Sequence, residues 1–316
     1  MKKLTINVSP HIFTNIDTRF MMKSVIMALI PAVAASIYFF RGKAAGVIAA
    51  SVLGCVITEY IFQKLRHREI KIGDYSAVVT GLLLAMVLPP ALPLWMAFLG
   101  GVFAVGMGKE LFGGLGHNVF NPALLARAFL MAAFPIALTT WTAPITLDAM
   151  TTATPLGLAK FNHEFTSSMT LFIGNVGGSL GETCAPALLA GFIYMLWKKI
   201  IDYRIPVAYA ATLLGFSGIT YAVNPAGAYP PIFCVFAGGF LIGAIFMATD
   251  PVTTPVTKKG RWIFGVGCGL ITMIIRLWGG LPEGVMYSIL FMNAFTPLIN
   301  RITKPRRYGL VRERAR

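Results

Sequence analysis

Apolar runs of about 18 residues or more recur along the chain from Phe20 to Asn300, separated by short polar stretches. Runs of that length read as transmembrane helices. Ten spans are expected, near 20–40, 44–63, 75–88, 92–112, 121–139, 182–197, 205–223, 231–248, 262–279 and 282–300. Five segments follow: an N-terminal stretch 1–20, a first membrane repeat 21–139, a loop 140–181, a second membrane repeat 182–300 and a basic tail 301–316. The predicted fold class is therefore an all-α polytopic membrane protein.

An internal repeat sharpens that picture. "FGGLGHNVFNPALLARAF" (Phe112–Phe129) aligns without gaps on "WGGLPEGVMYSILFMNAF" (Trp278–Phe295), sharing the Gly-Gly-Leu and the final Ala-Phe. Upstream, "GLLLAMVLPP" (Gly81–Pro90) lies opposite "GAIFMATDPV" (Gly243–Val252). Five spans per half, an odd number, would insert the two copies in opposite orientations, giving two inverted five-helix repeats.

Composition agrees: 56% of residues are hydrophobic and only 12% charged, where a soluble domain has about 25% charged residues. The net charge of +15 is uneven. Lys64, Arg66, Arg68 and Lys71 follow the second span; Lys198, Lys199 and Arg204 the sixth; Lys258, Lys259 and Arg261 the eighth. The alternate loops hold Arg41, Lys43 and, from 140 to 181, only Lys160. By the positive-inside rule both termini are cytoplasmic and the 140–181 loop is on the outer side, in a multi-pass cytoplasmic-membrane protein. The tail carries Arg301, Lys304, Arg306, Arg307, Arg312, Arg314 and Arg316. Directly after a span, such a tail anchors to anionic lipid and is not expected to bind nucleic acid. The first apolar run starts near Phe20 and reads as a retained anchor, not a cleaved leader. Cys55, Cys184, Cys234 and Cys268 are far apart, so no iron–sulfur, zinc or other metal motif is expected.

Candidate chemistry lies where spans break or carry charge. Span three ends at Pro89-Pro90 and span eight at Asp250-Pro251, and proline frees carbonyls that lipid cannot satisfy. "MATDPVTTPVT" offers Thr249, Asp250, Thr253 and Thr254, either as an ion or ligand site or as a capped helix end. Arg127 sits about two turns into span five, where it can neutralise a phosphate or pair with Glu110. Lys109 and Glu110, beside the glycine-rich loop, read as interfacial. The outer loop contains "TLDAMTTATPL" (Thr146–Leu156), hydroxyls among small residues, with Pro155 disfavouring helix at Thr154. That is either extended filler or a site where another enzyme reaches a hydroxyl.

Four blocks, "SPHIFTNIDTRFMMKSVIMALIPA", "GDYSAVVTGLLLAMVLPP", "GGLGHNVFNPALLARAFL" and "FMATDPVTTPVT", together resemble the NqrB/RnfD family over nearly the whole chain. The compact length and short N-terminus look most like its Rnf D-type branch. The resemblance implies an electron-transferring, flavin-carrying subunit of an Rnf-type complex that couples ferredoxin/NAD chemistry to Na⁺ or H⁺ translocation. The subunit would not act alone, and other Rnf subunits and a flavin transferase would be its partners. It also implies FMN joined through its phosphate to a threonine, within a transferase motif Asp-x-x-Ser/Thr-Gly-Ala-Thr. That motif maps onto Asp148, Thr151, Thr152, Ala153 and Thr154, with Thr154 as the covalent acceptor. Thr152 stands where glycine is common, which leaves Thr152 and Thr151 as lesser acceptors. A second, non-covalent flavin, riboflavin, is implied within the bundle, with Asp250 and Pro89 shaping a cavity for it or for the ion. The alternatives are a quinone-reductase B-type subunit and a small-solute carrier on the same inverted-repeat plan.

Overall fold

The computed structural model describes residues 17–142, 144, 153–225 and 227–305. Among them the regular structure is helical. Helix α1 (Thr18–Leu65) opens on Asp17, whose carboxylate accepts from Thr18 N at 2.7 Å. Its 48 residues would extend about 72 Å if straight, over twice the hydrocarbon thickness of about 30 Å. It does not run straight: Arg41 leaves helical geometry (φ 51°, ψ −135°), between the first two expected spans.

Helices α2 (Ser76–Met86) and α3 (Leu94–Val105) pack against α1. Small residues allow this: a Cβ on Gly101 would stand 2.6 Å from Ser51 O, the close backbone approach that binds helices where lipid supplies no hydrophobic drive. A π-helical turn (Gly106–Glu110) continues α3. Asn121 then caps α4 (Pro122–Ala133), accepting from Ala123 N at 3.0 Å and Leu124 N at 3.2 Å, with Pro122 in the first turn. Pro135 stops α4 and starts α5 (Pro135–Thr139).

Beyond the 145–152 stretch come α6 (Pro155–Gly157) with a π-helical turn Leu158–Asn162, then α7 (Ser168–Ile173). Helices α8 (Ala185–Trp197) and α9 (Arg204–Val223) follow. The segment expected as one span over 231–248 is instead broken, into α10 (Pro231–Phe236), α11 (Phe240–Ile242) and a π-helical turn Gly243–Met247. The break is at Ala237–Gly239, where Gly238 takes φ +71°. Helices α12 (Lys258–Trp278) and α13 (Val285–Ile302) complete the described helices. Gly265 brings α12 onto α9, since a Cβ there would lie 2.7 Å from Ile205 O. Tyr209 of α9 joins Thr272 of α12 (2.6 Å) and Ser288 of α13 (2.9 Å) through hydroxyls.

Thr18–Leu65, Arg204–Val223 and Lys258–Trp278 are long and apolar enough to cross a membrane by length and composition. Two of the shorter ones end inside the bundle. One is the broken α10–α11 segment, and the other is α2, which stops at Met86. The buried Val87–Pro90 turn after α2 lies against a 3₁₀ turn, Leu180–Glu182; Leu180 N donates to Leu88 O at 3.1 Å. That backbone bond satisfies a carbonyl left without a helical partner because α2 has already ended.

Candidate functional site

At the α10–α11 break, one side chain replaces the missing helix bonds. Arg276, fully buried on α12, donates through Nη1 to Cys234 O (2.7 Å), Nη2 to Ala237 O (3.2 Å) and Nε to Glu283 O (3.1 Å). Inside a bundle every freed carbonyl needs such a partner. The adjoining Gly239 N–H donates to the Glu283 carboxylate at 3.1 Å. Glu283 also accepts two bonds from Arg127 of α4, Nη2 to Oε2 at 2.7 Å and Nη1 to Oε1 at 3.3 Å. The fork geometry is that of a bidentate guanidinium–carboxylate pair. Arg127 therefore pairs with Glu283 and not with Glu110. Glu110 is far nearer in sequence but sits in the π-helical turn after α3, while Glu283 is 156 residues distant.

Glu182 lies beside this pair, receiving a 2.7 Å hydrogen bond from Ser179 Oγ. Arg127, Glu182 and Glu283 line a cavity of about 100 Å³ whose rim includes Thr154. Thr154 is half-buried and extended (φ −68°, ψ 153°). Its Oγ1 accepts from Gly157 N at 3.1 Å, as the cap of α6. A capping hydroxyl uses its oxygen lone pairs and keeps its own proton available. Ala153 beside it is exposed. Asp148, Thr151 and Thr152 lie outside the described residues. Among the described residues Arg127 Nε is buried without a hydrogen-bond partner.

Lys160, six residues beyond Thr154, donates to the backbone oxygens of Ile275 (3.3 Å), Arg276 (3.1 Å), Gly279 and Leu281 (3.0 Å). It closes the end of α12, where helix carbonyls have no intrahelical partner and the dipole favours a cation. Partial burial lowers its pKa from the ordinary lysine value.

A second cavity, of about 80 Å³, lies between the two halves of the chain, lined by Ser76, Lys109, Asn118, Asn121, Thr249 and Asp250. Asp250 accepts from Thr253 Oγ1 at 3.1 Å, and Thr254 Oγ1 donates to Asp250 O at 2.8 Å. Its turn is thus self-capped and also faces a cavity, so both readings of that segment coexist. Thr249 spends its hydroxyl proton on Ile245 O at 2.6 Å. Pro89 is buried elsewhere, beside the Leu88–Leu180 contact, and does not line the Asp250 cavity.

The π-helical turn at Gly106–Glu110 rotates both Lys109 and Glu110 inward, where each is about 2% exposed, rather than to an interface. Lys109 Nζ meets Glu59 Oε1 at 2.7 Å and Ser76 Oγ at 2.5 Å. Glu59 also accepts from Gln63 at 3.1 Å and lines a polar groove beside Asp74 and Lys71. The Lys109–Glu59 pair accordingly separates that groove from the Asp250 cavity.

Among the described residues no group of three or more His, Cys, Asp or Glu is arranged to hold a metal ion. The sequence signal that links Arg276 and Glu283 is the Gly238-Gly239 pair that marks the break whose backbone groups both residues serve.

Helices with polar networks at two interruptions, and a hydroxyl at a cavity rim, are the frame of a membrane subunit. The chain belongs to the NQR2, RnfD, RnfE family, whose model matches residues 5–309. It is 48% identical over 314 residues to the D subunit of the Na(+)-translocating ferredoxin:NAD(+) oxidoreductase complex of Acetobacterium woodii, covering 98% of this chain and 96% of that one. Similarity to the D subunit of the proton-translocating ferredoxin:NAD(+) oxidoreductase complex of Clostridium ljungdahlii is 43% identity, covering 96% of each chain. The D subunit of the ion-translocating oxidoreductase complex of Stutzerimonas stutzeri is 37% identical, with 91% of each chain covered.

Proposed function

We propose that this chain is the flavin-carrying D-type subunit of an Rnf-type membrane complex that transfers electrons between ferredoxin and NAD and couples them to Na⁺ or H⁺ movement. Near-full-length similarity to subunits of that name supports the Rnf branch over a quinone-reductase B-type subunit. Those names divide between sodium and proton at similar identity.

The observation that carries the flavin reading is Thr154 at the rim of the Arg127 cavity. Thr154 would hold FMN as a phosphoester, in a segment entered through exposed Ala153. The residues present fit such a group. Arg127, paired through its two terminal nitrogens with Glu283, keeps an unpartnered Nε, and Leu156, Met131, Tyr287 and Trp141 supply apolar walls. When bound, the flavin supplies the electron-carrying chemistry. The chain's part is to tether it, orient it and set its surroundings. Tethering replaces a dissociable ligand by a fixed effective concentration.

The second cavity suits a non-covalent flavin, riboflavin: the Asn118 amide is a polar group for a heteroaromatic edge, and Met21, Val25 and Phe246 are apolar neighbours. Asp250 is the ion-pathway candidate at the same cavity. The helices belong to ten spans in two inverted five-helix repeats, in the cytoplasmic membrane, with termini inside and the Thr154 segment outside. The basic loops support that orientation.

The test is in-gel flavin fluorescence of denatured wild type and Thr154→Val, each co-expressed with a flavin transferase. A fluorescent band that disappears in the variant is the expected result. A persisting band moves the acceptor to Thr151 or Thr152, and a dark wild type beside an active transferase sinks the flavin reading.

A further inference from the structure

Lys160 and Thr154 share one short helical run, 155–162, capped by Thr154 itself. The Lys160 ammonium holds four backbone carbonyls, two from the last turn of α12 and two, Gly279 and Leu281, from the loop that follows. That loop continues into Leu281–Gly284, which forms the wall of the cavity at Thr154 and includes Glu283, the partner of Arg127. One cation thus ties the threonine's helix to the opposite wall of its own cavity. Three donors on a single nitrogen serve four acceptors, a saturated arrangement that only a charged group at a helix C-terminus makes strong.

From this geometry we infer that Lys160 is the positioning residue for the group carried by Thr154: it seats the 154–162 run on the 279–283 loop and so sets where that group sits relative to Arg127. The role rests on the flavin reading of Thr154. A second consequence follows from the shared carbonyl. Lys160 contacts Arg276 O while the Arg276 guanidinium fills the α10–α11 break, so the Thr154 run and the interrupted helix are tied to the same residue.

The experiment uses the intact complex with wild type, Lys160→Met and Lys160→Arg. Methionine retains the stem and removes the donors; arginine restores cation and donors. Two quantities are measured: deuterium exchange of peptides covering 154–165, and the midpoint potential of the Thr154-bound flavin. Expected are exchange about tenfold or more faster in Lys160→Met, a displaced potential, undiminished in-gel fluorescence, and return of both readings toward wild type in Lys160→Arg. Exchange unchanged in Lys160→Met overturns the inference. So does faster exchange with an unmoved potential, because the lysine would then hold backbone without positioning the flavin. If Lys160→Met fails to accumulate, Lys160→Gln, with two neutral donors, makes the same comparison. A dark wild-type band sinks the Thr154 reading itself, whereas a fluorescent wild type with unchanged exchange in the variant sinks only the role of Lys160.

Discussion

At the residue scale, the buried charges behave as pairs whose members cannot be removed singly. Arg127 is almost wholly buried and its main compensation is Glu283. Breaking a buried pair by taking one partner leaves an uncompensated charge, at a cost of about 3–5 kcal/mol, whereas an apolar pair of similar size is often neutral. Arg127→Met or Glu283→Met alone should lower the thermal stability of the detergent-solubilised complex by several degrees, and the double variant should recover most of the loss. A double variant no better than the singles would mean that the Gly239 N–H, which also depends on the Glu283 carboxylate, carries the larger share. The Thr154 hydroxyl is a different kind of residue feature. Its contribution to folding is one helix cap, worth about 1 kcal/mol, so Thr154→Val should leave the fold standing while removing the acceptor, which makes the fluorescence test readable.

At the element scale, helices are joined by polar contacts at their ends as much as by packing. Asp202, in the loop before α9, accepts from Arg204 N (2.9 Å), Arg204 Nη1 (2.6 Å) and Arg261 Nη1 (2.5 Å) on α12. Burial pushes its carboxyl upward, but the hydrogen bonds from Arg204 and Arg261 outweigh it and hold the pKa below the ordinary aspartate value. A depressed folded-state pKa contributes stability that is complete above the unfolded value of about 3.9 and is lost as pH falls through the folded value. Asp202→Asn should therefore melt below wild type at pH 7, with the gap closing as pH drops below about 4. A gap that stays constant down to pH 3 would show that the amide loses something other than charge. Element breaks were only half legible. Pro89-Pro90 and Asp250-Pro251 mark two of them, because proline cannot continue the backbone bonding. The Ala237–Gly239 break has no proline inside it, and the partner that makes it tolerable, Arg276, arrives from another helix.

At the scale of the whole molecule, the Lys and Arg distribution sets one testable orientation. In an otherwise cysteine-free chain, Lys199→Cys should react with an impermeant thiol reagent only when the cytoplasmic face is open. Phe161→Cys, exposed beside Lys160, should react from the opposite side. Labelling of both from one face would overturn the inverted five-plus-five arrangement, since an even count of crossings would then lie between them.

The sequence by itself determined the class of protein, most helix positions and the threonine candidate. Each of these rests on local information: apolar run length against a bilayer's thickness, proline and glycine punctuation, and a short motif read in its neighbourhood. It also held the family resemblance that the match over residues 5–309 bears out. The tertiary structure decided the partners. Arg127 belongs to Glu283 instead of Glu110, Lys109 to Glu59, and Pro89 lies apart from Asp250. Such pairings depend on how helices are rotated about their axes, on the extra residue in a π-helical turn, and on which broken backbone must borrow donors. Those quantities are fixed when helices pack, because a buried charge or carbonyl must find its partner in space, at any separation along the chain.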